Sequence, residues 1–347
     1  MSAAGVVQLT SEREAAWTAY LTSHAGGTLF HDLLWREFLQ RAFRHRCTYL
    51  LAMRAGVVKG VLPLVVIRSL FFGRSVISVP FGVYGGVLAD DADATAALLR
   101  AAGEVAADAR ADYVELRHLV APEGSTLPES GSHSTFIRDL PLTVDEVLLT
   151  LPRKARAEAR KARTAGVLLP GSEPLSIPAF HALFAENKRK LGSPVFPESM
   201  FWHLKDLLGE RLHLFALEKN GEPVAALMSF LWRDDWMAYY SGATDEANKL
   251  SANNLMYLSV MEEAVRRGLK RFDFGRSRNG TGAFSFKVNQ GFEPAPLHYQ
   301  FITARGKPLP SVNAGNPRYD LAKRVFRSLP MCAASRLGSF VAKRMPV

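Results

Sequence analysis

Three cations lie close together in residues 271–292, beside several glycines. Arg276 and Arg278 occur in a polar, glycine-rich stretch, and Lys287 follows it. Glycines let a backbone approach a ligand closely and leave N–H groups free to bind oxyanions. Guanidinium groups bind carboxylates and phosphates through paired hydrogen bonds. The stretch therefore predicts a site for an anionic group or a developing oxyanion, and a solvated hairpin with incidental charges is the alternative.

The order of apolar and polar residues predicts two short strands around this glycine-rich turn. Residues 272–274 alternate apolar and polar, and Phe284 and Phe286 resume the alternation. Side chains alternate between the two faces of a strand. Lys287 is therefore expected at a strand edge, on the face opposite those two rings.

These motifs resemble the end of the acyltransferase domain of the FemAB-like family, and more narrowly its branch associated with PEP-CTERM and exopolysaccharide systems. The matching segments are residues 272–277, 280–282 and 286–292. Members such as the peptidoglycan bridge-forming enzymes pass an aminoacyl group from a charged tRNA to an amine on a cell-wall precursor. They are built from two acetyltransferase-like domains. The resemblance covers residues 150–300 well and the N-terminal half more faintly.

The resemblance implies roles for individual residues. Lys287 matches the functional lysine of the family's Phe-Lys motif, which implies electrostatic stabilisation during catalysis. Arg156 matches a contact to the precursor's phosphates, and Arg153 and Arg160 lie beside it in a basic helix. A solvated helix face is the alternative for the arginines, and a solvated strand cap is the alternative for Lys287.

Other candidate substrate-binding residues come from the sequence pattern itself. Arg276 and Arg278 are expected to hold a carboxylate or phosphate. Tyr240 and Ser241 end a predicted strand and are expected to line an acceptor groove, or else to be packing residues. Asn254 lies at the start of a predicted helix, where we expect it mainly to cap the helix and secondarily to contact a ligand.

The predicted elements occur in the same order in both halves of the chain. A hairpin, a strand, a helix and a strand appear within residues 49–117 and again within residues 213–274. The sequence therefore predicts the α/β (α+β) class, with two acetyltransferase-like domains of mixed sheets flanked by helices. We place the domains at residues 1–150 and 151–304, followed by a basic C-terminal tail, residues 305–347.

Positive charge is concentrated in two segments of the chain. Its net charge is +10, yet residues 151–166 hold six basic residues and one acid, and residues 305–347 hold nine basic residues and one acid. The remainder is mildly acidic. Such concentration indicates an anionic partner. The expected partners are an anionic envelope or polysaccharide precursor, tRNA, or a membrane surface that the tail contacts. Alternatively, the tail packs on the protein body.

The sequence also limits the compartment and the kind of site. It has two cysteines, no recognisable signal peptide and no apolar run long enough to span a bilayer. These features predict a soluble, cytoplasmic protein. Peripheral contact at the inner face of the membrane is a further option. The sequence lacks nucleotide-binding glycine motifs and the serine nucleophile elbow. Its histidines lack metal-ligand spacing, so no metal is expected.

The donor is the least constrained part of the interpretation. The acetyl-CoA loop of acetyltransferases is not intact, and Asp245 and Glu246 would repel a pyrophosphate in residues 242–251. We therefore expect no tightly bound cofactor and a donor such as aminoacyl-tRNA, with acyl-CoA as the other option. The predicted function is transfer of an acyl or aminoacyl group to an amine of an envelope or exopolysaccharide precursor. The alternatives are a non-enzymatic binding module for an anionic glycan precursor and an acetyl-CoA-dependent N-acetyltransferase.

Overall fold

Two separate mixed sheets and their helices make up most of the protein, as seen in a computed structural model. It describes residues 4–69, 73–169, 175–304, 324 and 326–345. The chain divides into two compact units. The first contains residues of Met1–Ser132 and a segment that begins at Pro296, and the second contains His133–Ala295 and the C-terminal helix. The α/β (α+β) class predicted from the sequence is confirmed.

The helices and strands follow one another in regular alternation. The helices are α1 (Glu14–Ser23), α2 (Leu33–Phe43), α3 (Ala92–Asp108), α4 (Val144–Thr150), α5 (Arg153–Thr164), α6 (Ile177–Leu191), α7 (Glu198–Leu208), α8 (Asp245–Lys249), α9 (Ala252–Arg266), α10 (Gly282–Asn289) and α11 (Met331–Ala342). The strands are β1 (Gly5–Gln8), β2 (Arg46–Arg54), β3 (Val57–Ser69), β4 (Gly73–Ile77), β5 (Leu88–Ala89), β6 (Tyr113–His118), β7 (His133–Thr135), β8 (Ile137–Asp139), β9 (Leu212–Lys219), β10 (Glu222–Trp232), β11 (Asp235–Ala243), β12 (Arg271–Asp273), β13 (Ser277–Arg278), β14 (Ala295–Pro296) and β15 (His298–Thr303).

The first sheet has the order β1-β2-β3-β4-β6-β15, and β5 pairs with β3 beside this path. Only β4 and β6 run parallel to each other, because α3 connects them as a crossover. Leu98 and Ala102 of α3 are fully buried and pack in one core with Leu64, Val76 and Val114 of the strands. The alanine-rich sequence of α3 lets this helix approach the sheet closely.

The second sheet repeats this arrangement in the order β8-β12-β11-β10-β9. Its hairpin β9–β10 turns at Asn220 and Gly221, which both have positive φ (54° and 81°), as a two-residue hairpin turn requires. β11 and β12 are the parallel pair, joined through α9. The repeated order of hairpin, strand, helix and strand predicted from the sequence is confirmed.

One additional strand joins each sheet from a distant part of the chain. β8 pairs with β12 in the second sheet, and β15 pairs with β6 in the first. By position, β8 falls within residues 1–150 and β15 within residues 151–304. The alternation of side chains shows that a short strand has a buried face, but it does not identify the sheet that accepts the strand. The sequence analysis therefore did not assign these two pairings.

Two basic segments have different surroundings. The helix predicted after Pro152 is confirmed as α5, whose alanines Ala155, Ala159 and Ala162 are buried against α9 while most of its basic residues are exposed. Residues 305–323 of the predicted basic tail lie outside the described residues, so the prediction for this part of the tail is not tested. The described α11 packs on α6 of the second unit. No helix in the described ranges is long and apolar enough to cross a membrane.

We expect Gly242→Ala to lower the free energy of unfolding by about 2 kcal/mol or more. A Cβ atom at Gly242 would lie 2.5 Å from the backbone of Leu183 and Phe184 in α6. Gly103→Ala in α3 is the matched control, because a Cβ there meets nothing within 4 Å and alanine favours a helix by about 0.5–1 kcal/mol. Urea denaturation of both variants measures the difference. Equal stability of the two would show that α6 does not approach β11 this closely.

Candidate active site

The parallel strands of the second sheet separate at their carboxyl ends. β11 and β12 pair only from Asp235 with Arg271 to Met237 with Asp273. β11 then continues to Ala243, paired with β10 on its other edge. Within the described ranges no strand pairs with the edge of β11 beyond Met237. Open α/β sheets bind ligands at such points, where neighbouring strands diverge beyond their carboxyl ends.

A bulge lies in β11 at the same level. Met228 of β10 pairs with Tyr240, but the next residue, Ser229, pairs with Ala238. Tyr239 is therefore an extra residue on β11. Bulges of this kind bend a strand and redirect side chains, and they are common beside active sites.

Lys287 lies on a helix and not on a strand edge, so that expectation from the sequence was wrong. The side chain of Thr281 caps α10 by accepting a hydrogen bond from the N–H of Phe284. Residues i and i+2 of a helix point about 200° apart, so both Phe284 and Phe286 reach apolar neighbours on different sides. Phe284 packs on Phe136, and Phe286 packs near Tyr257. This arrangement mimics the two-residue period of a strand.

The Lys287 amine is buried and held by the loop after β12. The residue is 8% exposed, and its Nζ donates hydrogen bonds to the carbonyl oxygens of Gly275 (2.8 Å) and Arg276 (3.1 Å). Gly275 has φ of 72°, and its N–H donates to the Asp273 carboxylate at 2.7 Å, which shapes the loop. An ammonium group has three N–H donors. Two are used here, so one position on the nitrogen is left for another group.

Burial changes the protonation of this amine. The pKa of Lys287 is lowered to about 7, chiefly because burial removes water from the charged amine; the carboxylate of Asp273 opposes this change and the positive charge of Arg276 adds to it. The rings of Phe136 and Phe274, each with a centroid 5.3 Å from Nζ, supply the apolar surroundings. Both forms of the amine are therefore present near neutral pH. Such a group can accept and donate a proton during a reaction.

The two predicted arginines occupy different positions. Arg276 follows Gly275, and its charge acts on Lys287, on Tyr240 and on Lys188 of α6. Arg278 lies in β13 and pairs with His133 of β7, and it is not among the charges that shift the pKa of Lys287. The structure therefore brings the Arg276 carbonyl to the Lys287 amine, whereas Arg278 belongs to a separate, small three-stranded sheet.

Tyr240 and Ser241 lie on β11 at the bulge. Ser241 hydrogen-bonds with the Tyr257 hydroxyl, which slightly opposes the burial that raises the pKa of that hydroxyl. Tyr240 is 8% exposed and packs against the aromatic rings of α6 and α7. Burial raises its pKa, and the charge of Arg276 opposes this change. Tyr240 thus lies inside the unit and is not part of an open groove wall.

The start of α9 is not capped by the predicted asparagine. Ser251 is the N-cap, with φ of 59° and no side-chain cap hydrogen bond, because the short helix α8 leads directly into it. Asn254 is the third residue of α9, and its backbone N–H donates to the Ser251 carbonyl. A helix start with few internal partners for its N–H groups is compatible with an anionic ligand.

The acids expected to repel a pyrophosphate are paired with lysines. Asp245 lies 2.9 Å from the Lys190 amine, and Glu246 lies 2.7 Å from that of Lys219. These pairs reduce the negative charge that a ligand at this end of β11 would meet. The repulsion argument made from the sequence is therefore weaker in the folded protein.

The basic row of α5 lies along α9. Arg153 and Arg160 are exposed and Arg156 is half-buried. The Glu158 carboxylate accepts a hydrogen bond from the Ser251 hydroxyl, which connects α5 to the start of α9. In the described part of the chain, no contact joins the three arginines to Lys287. They form a separate charged surface of the second unit.

The sequence analysis missed two residues that shape this site. Lys188 lies beside Arg189 and Lys190, and such a charge run is typical of a solvated helix end. Phe136 precedes β8 and forms one wall around Lys287, but nothing in its local sequence connects it with a motif 151 positions later. Only the pairing of β8 with β12 brings Phe136 to this place.

The corresponding place in the first unit is filled by the chain itself. β4 and β6 pair from Ser75 to Ile77, residues 78–87 then leave the sheet, and Leu88 resumes pairing with β3. All ten residues of this loop are buried. Arg117 donates to the carbonyl oxygens of Val79 (3.1 Å) and Gly82 (2.8 Å) and so holds the loop. The open strand end is therefore a feature of the second unit.

We expect Lys287→Met to remove a pH dependence of stability. An unfolded lysine has a pKa of about 10.4, whereas the pKa of folded Lys287 is about 7. Between these values the unfolded chain holds a proton that the folded protein lacks, so the free energy of unfolding rises as the pH increases from 7 to 10. Below pH 7 both states are protonated, and the cost of the buried charge is fully present.

Guanidinium unfolding at pH 7, 8.5 and 10 measures this rise. Lys205→Met is the control, because Lys205 is exposed on α7 and should leave the rise unchanged. A wild-type protein and a Lys287→Met variant with the same pH dependence would contradict the low pKa of Lys287.

One family model matches a part of the second unit. Residues 152–288 match the family model described as "Acetyltransferase (GNAT) domain". A comparison with curated protein sequences finds no match.

Several solved structures share the fold at low sequence identity. FemX has a TM-score of 0.62 and 16% identity, over 92% of this chain and 99% of that one. A tandem GNAT protein from the clavulanic acid biosynthesis pathway has a TM-score of 0.57 and 13% identity, over 88% and 99%. The C-terminal domain (DUF2156) of a protein described as a lysylphosphatidylglycerol synthetase, from Agrobacterium fabrum, has a TM-score of 0.52 and 12% identity, over 85% and 92%.

The match to a tandem GNAT protein agrees with the repeated sheet order. The likeness in structure shows the fold, and the family model indicates the type of chemistry. Residues 152–288 therefore carry the signature of a GNAT-type acetyltransferase domain, which indicates an acyltransferase.

Proposed function

We propose that the protein transfers an acyl group to an amine at the Lys287 site. The observation that supports this most directly is a buried lysine with a pKa near 7, placed beside the open end of β11. The residue falls within the part of the chain that matches the acetyltransferase domain. Acyl transfer to an amine needs a group that can take a proton near neutral pH, and Lys287 has that property.

The reaction makes one bond and breaks one. The nitrogen of the acceptor attacks the acyl carbonyl carbon, and the bond between that carbon and the donor's leaving atom then breaks. The proton lost by the nitrogen passes to neutral Lys287, at the position on Nζ not bonded to Gly275 and Arg276. We propose that backbone N–H groups near the end of β11, beyond the positions paired with β12, stabilise the oxyanion.

For the donor we propose an acyl-CoA. GNAT domains use acyl-CoA as a donor substrate and not as a resident cofactor. The pairing of Asp245 and Glu246 with lysines removes part of the electrostatic objection to a pyrophosphate near α9. Aminoacyl-tRNA, which the sequence resemblance suggested, is the donor to test next if the protein transfers no acyl group from acyl-CoA.

For the acceptor we propose an amine on an anionic envelope or exopolysaccharide precursor. The basic row of α5, with Arg153, Arg156 and Arg160, supports this choice because it offers several cations to phosphate groups. The sequence resemblance to the PEP-CTERM and exopolysaccharide branch points in the same direction.

We expect Lys287→Met to lower kcat/KM by roughly 100-fold or more, because the proton acceptor is lost. The assay measures free thiol released from a panel of acyl-CoA donors in the presence of amine acceptors. Melting curves verify that the variant is folded. An active wild-type protein and an equally active, folded Lys287→Met variant would rule out this role. Transfer from aminoacyl-tRNA alone would replace the proposed donor.

The pH profile distinguishes a base from a cationic stabiliser. If Lys287 accepts the proton, kcat/KM rises with pH up to about 7, the pKa of Lys287, and then levels. A profile that instead falls above pH 7 would assign Lys287 to oxyanion stabilisation by its charge.

We expect Arg156→Ala to raise the KM for a phosphate-bearing acceptor several-fold, with little change in kcat. A contact made equally in the ground and transition states affects binding and not turnover. The effect should shrink at high salt, because added ions screen exposed charges. Arg100→Ala is the control, since Arg100 is an exposed arginine on α3 of the first unit. An equal change of KM in both variants would show that α5 does not bind the acceptor.

A further inference from the structure

Helix α11 packs on the second unit through small residues and exposes large apolar ones. Ala334, Gly338 and Ala342 recur every four residues and are buried. Leu337 is 40% exposed and Phe340 is 47% exposed. Successive residues of a helix are about 100° apart, so these two side chains lie on the side of α11 opposite the three small residues. A helix that only covers a protein core has the reverse arrangement, with its large apolar residues facing inward.

The inward side of α11 approaches its neighbours too closely for a large side chain. A Cβ atom at Gly338 would lie 2.4 Å from the backbone nitrogen of Val195. Before α11 begins, the Arg327 guanidinium donates a hydrogen bond to the Lys190 carbonyl at the end of α6, at 3.1 Å. Leu191, the next residue of α6, is 54% exposed. The helix is therefore fixed with its small residues inward, at a place where α6 also exposes a leucine.

The chain around α11 is basic throughout. Residues 324–347 hold five basic residues and no acid. Among them Arg324, Arg327 and Arg336 are exposed, and Arg336 lies one turn before Phe340 on the outward side of α11. Apolar side chains exposed singly need no explanation, but here two of them share one side of a helix with a cation. That composition matches a partner with an apolar interior and a negatively charged boundary.

Other parts of this chain do not suit the outward side of α11. A symmetric contact with a second copy would bring the same surface together twice, so that Arg336 of each copy would meet like charge. The segment 305–323 holds four basic residues and one acid, so it also carries the wrong sign. An anionic lipid surface supplies both kinds of contact, because its acyl chains accept apolar side chains and its headgroups attract cations.

We propose that α11 docks the protein on an anionic membrane surface. Leu337 and Phe340 enter the boundary between headgroups and acyl chains, and Arg336 contacts headgroup phosphates beside them. A helix of this kind lies in the plane of the interface, and its binding is reversible because the buried apolar area is small. The proposal does not depend on Lys287 or on acyl transfer, so it stands or falls separately from the proposed function.

The test is flotation of the full-length protein with vesicles of two compositions. One kind contains phosphatidylcholine alone, and the other contains phosphatidylcholine with phosphatidylglycerol as the anionic lipid. We expect the protein to bind the anionic vesicles at low salt, by about tenfold or more over the neutral ones, because several cations contact the headgroups. Raising the salt concentration should release the protein, since added ions screen exposed charges.

Two variants test the outward side of α11 directly. Leu337→Gln should weaken binding to the anionic vesicles by roughly fivefold to tenfold, because an apolar contact is lost. Arg336→Gln should weaken it by about fivefold, because one cation is lost. Both side chains are exposed, so the melting temperatures should stay at the wild-type value.

Each of these variants has a matched control. Leu149→Gln changes a leucine that is 67% exposed on α4, a helix with two acids and no basic residue. Arg100→Gln changes an exposed arginine on α3 of the first unit. Both controls should bind the anionic vesicles as the wild type does.

The other outcomes would overturn the proposal. Absence of binding to anionic vesicles, or an equal loss in the α11 variants and their controls, would show that α11 is not the docking surface. Equal flotation with neutral and anionic vesicles would contradict the anionic surface. Sedimentation velocity without vesicles tests the second copy: a dimer that Leu337→Gln dissociates would assign the outward side of α11 to self-association.

Discussion

The hydrogen bonds from Lys287 to the carbonyls of Gly275 and Arg276 are the constraint on which the candidate site depends. They hold the loop after β12 against α10, and this position brings Phe274 to the amine, while the pairing of β8 with β12 brings Phe136 there. The same contact buries a group that water would otherwise keep charged, which lowers its pKa to about 7. The positive φ of Gly275 permits the turn that presents both carbonyls to the lysine. The conformation of this loop therefore determines both the position of the Lys287 amine and its pKa.

The two units show how one sheet topology can be completed in opposite ways. In each unit a parallel pair of strands separates beyond three paired positions. In the first unit, residues 78–87 fill that place, and Arg117 satisfies two of the carbonyl oxygens that the loop buries. In the second unit, Tyr239 is an extra residue of β11 just beyond the positions that pair with β12. Within the described ranges, no strand pairs with that edge of β11 beyond Met237. Closing the strand end favours stability, whereas leaving it open leaves room for a substrate.

The sequence predicted the local elements better than the contacts between distant segments. The β9–β10 hairpin, α3, α5 and α9 follow from periodicity and from turn residues such as Asn220 and Gly221. Lys287 was singled out from the sequence as a candidate site residue, which stays a prediction, and its helix was read as a strand because Phe284 and Phe286 contact the core on different sides. Lys188 and Phe136 could not have been found, since their places depend on α6 and on the pairing of β8 with β12. Local pattern decides an element, and tertiary pairing decides what surrounds it.

Unfavourable local features are concentrated where the second unit is open. An amine with a lowered pKa, a hydroxyl without a described partner and a lysine over two rings occur within neighbouring parts of α6, β11 and α10. Each would be less costly as an apolar side chain, because the buried Lys287 charge and the unpaired Tyr240 hydroxyl oppose folding. The apolar cores around Leu64 and Leu227 supply the stability that compensates for them. Groups that oppose folding are concentrated at functional sites in many proteins, and their clustering at this strand end is the physical reason to regard it as the candidate site.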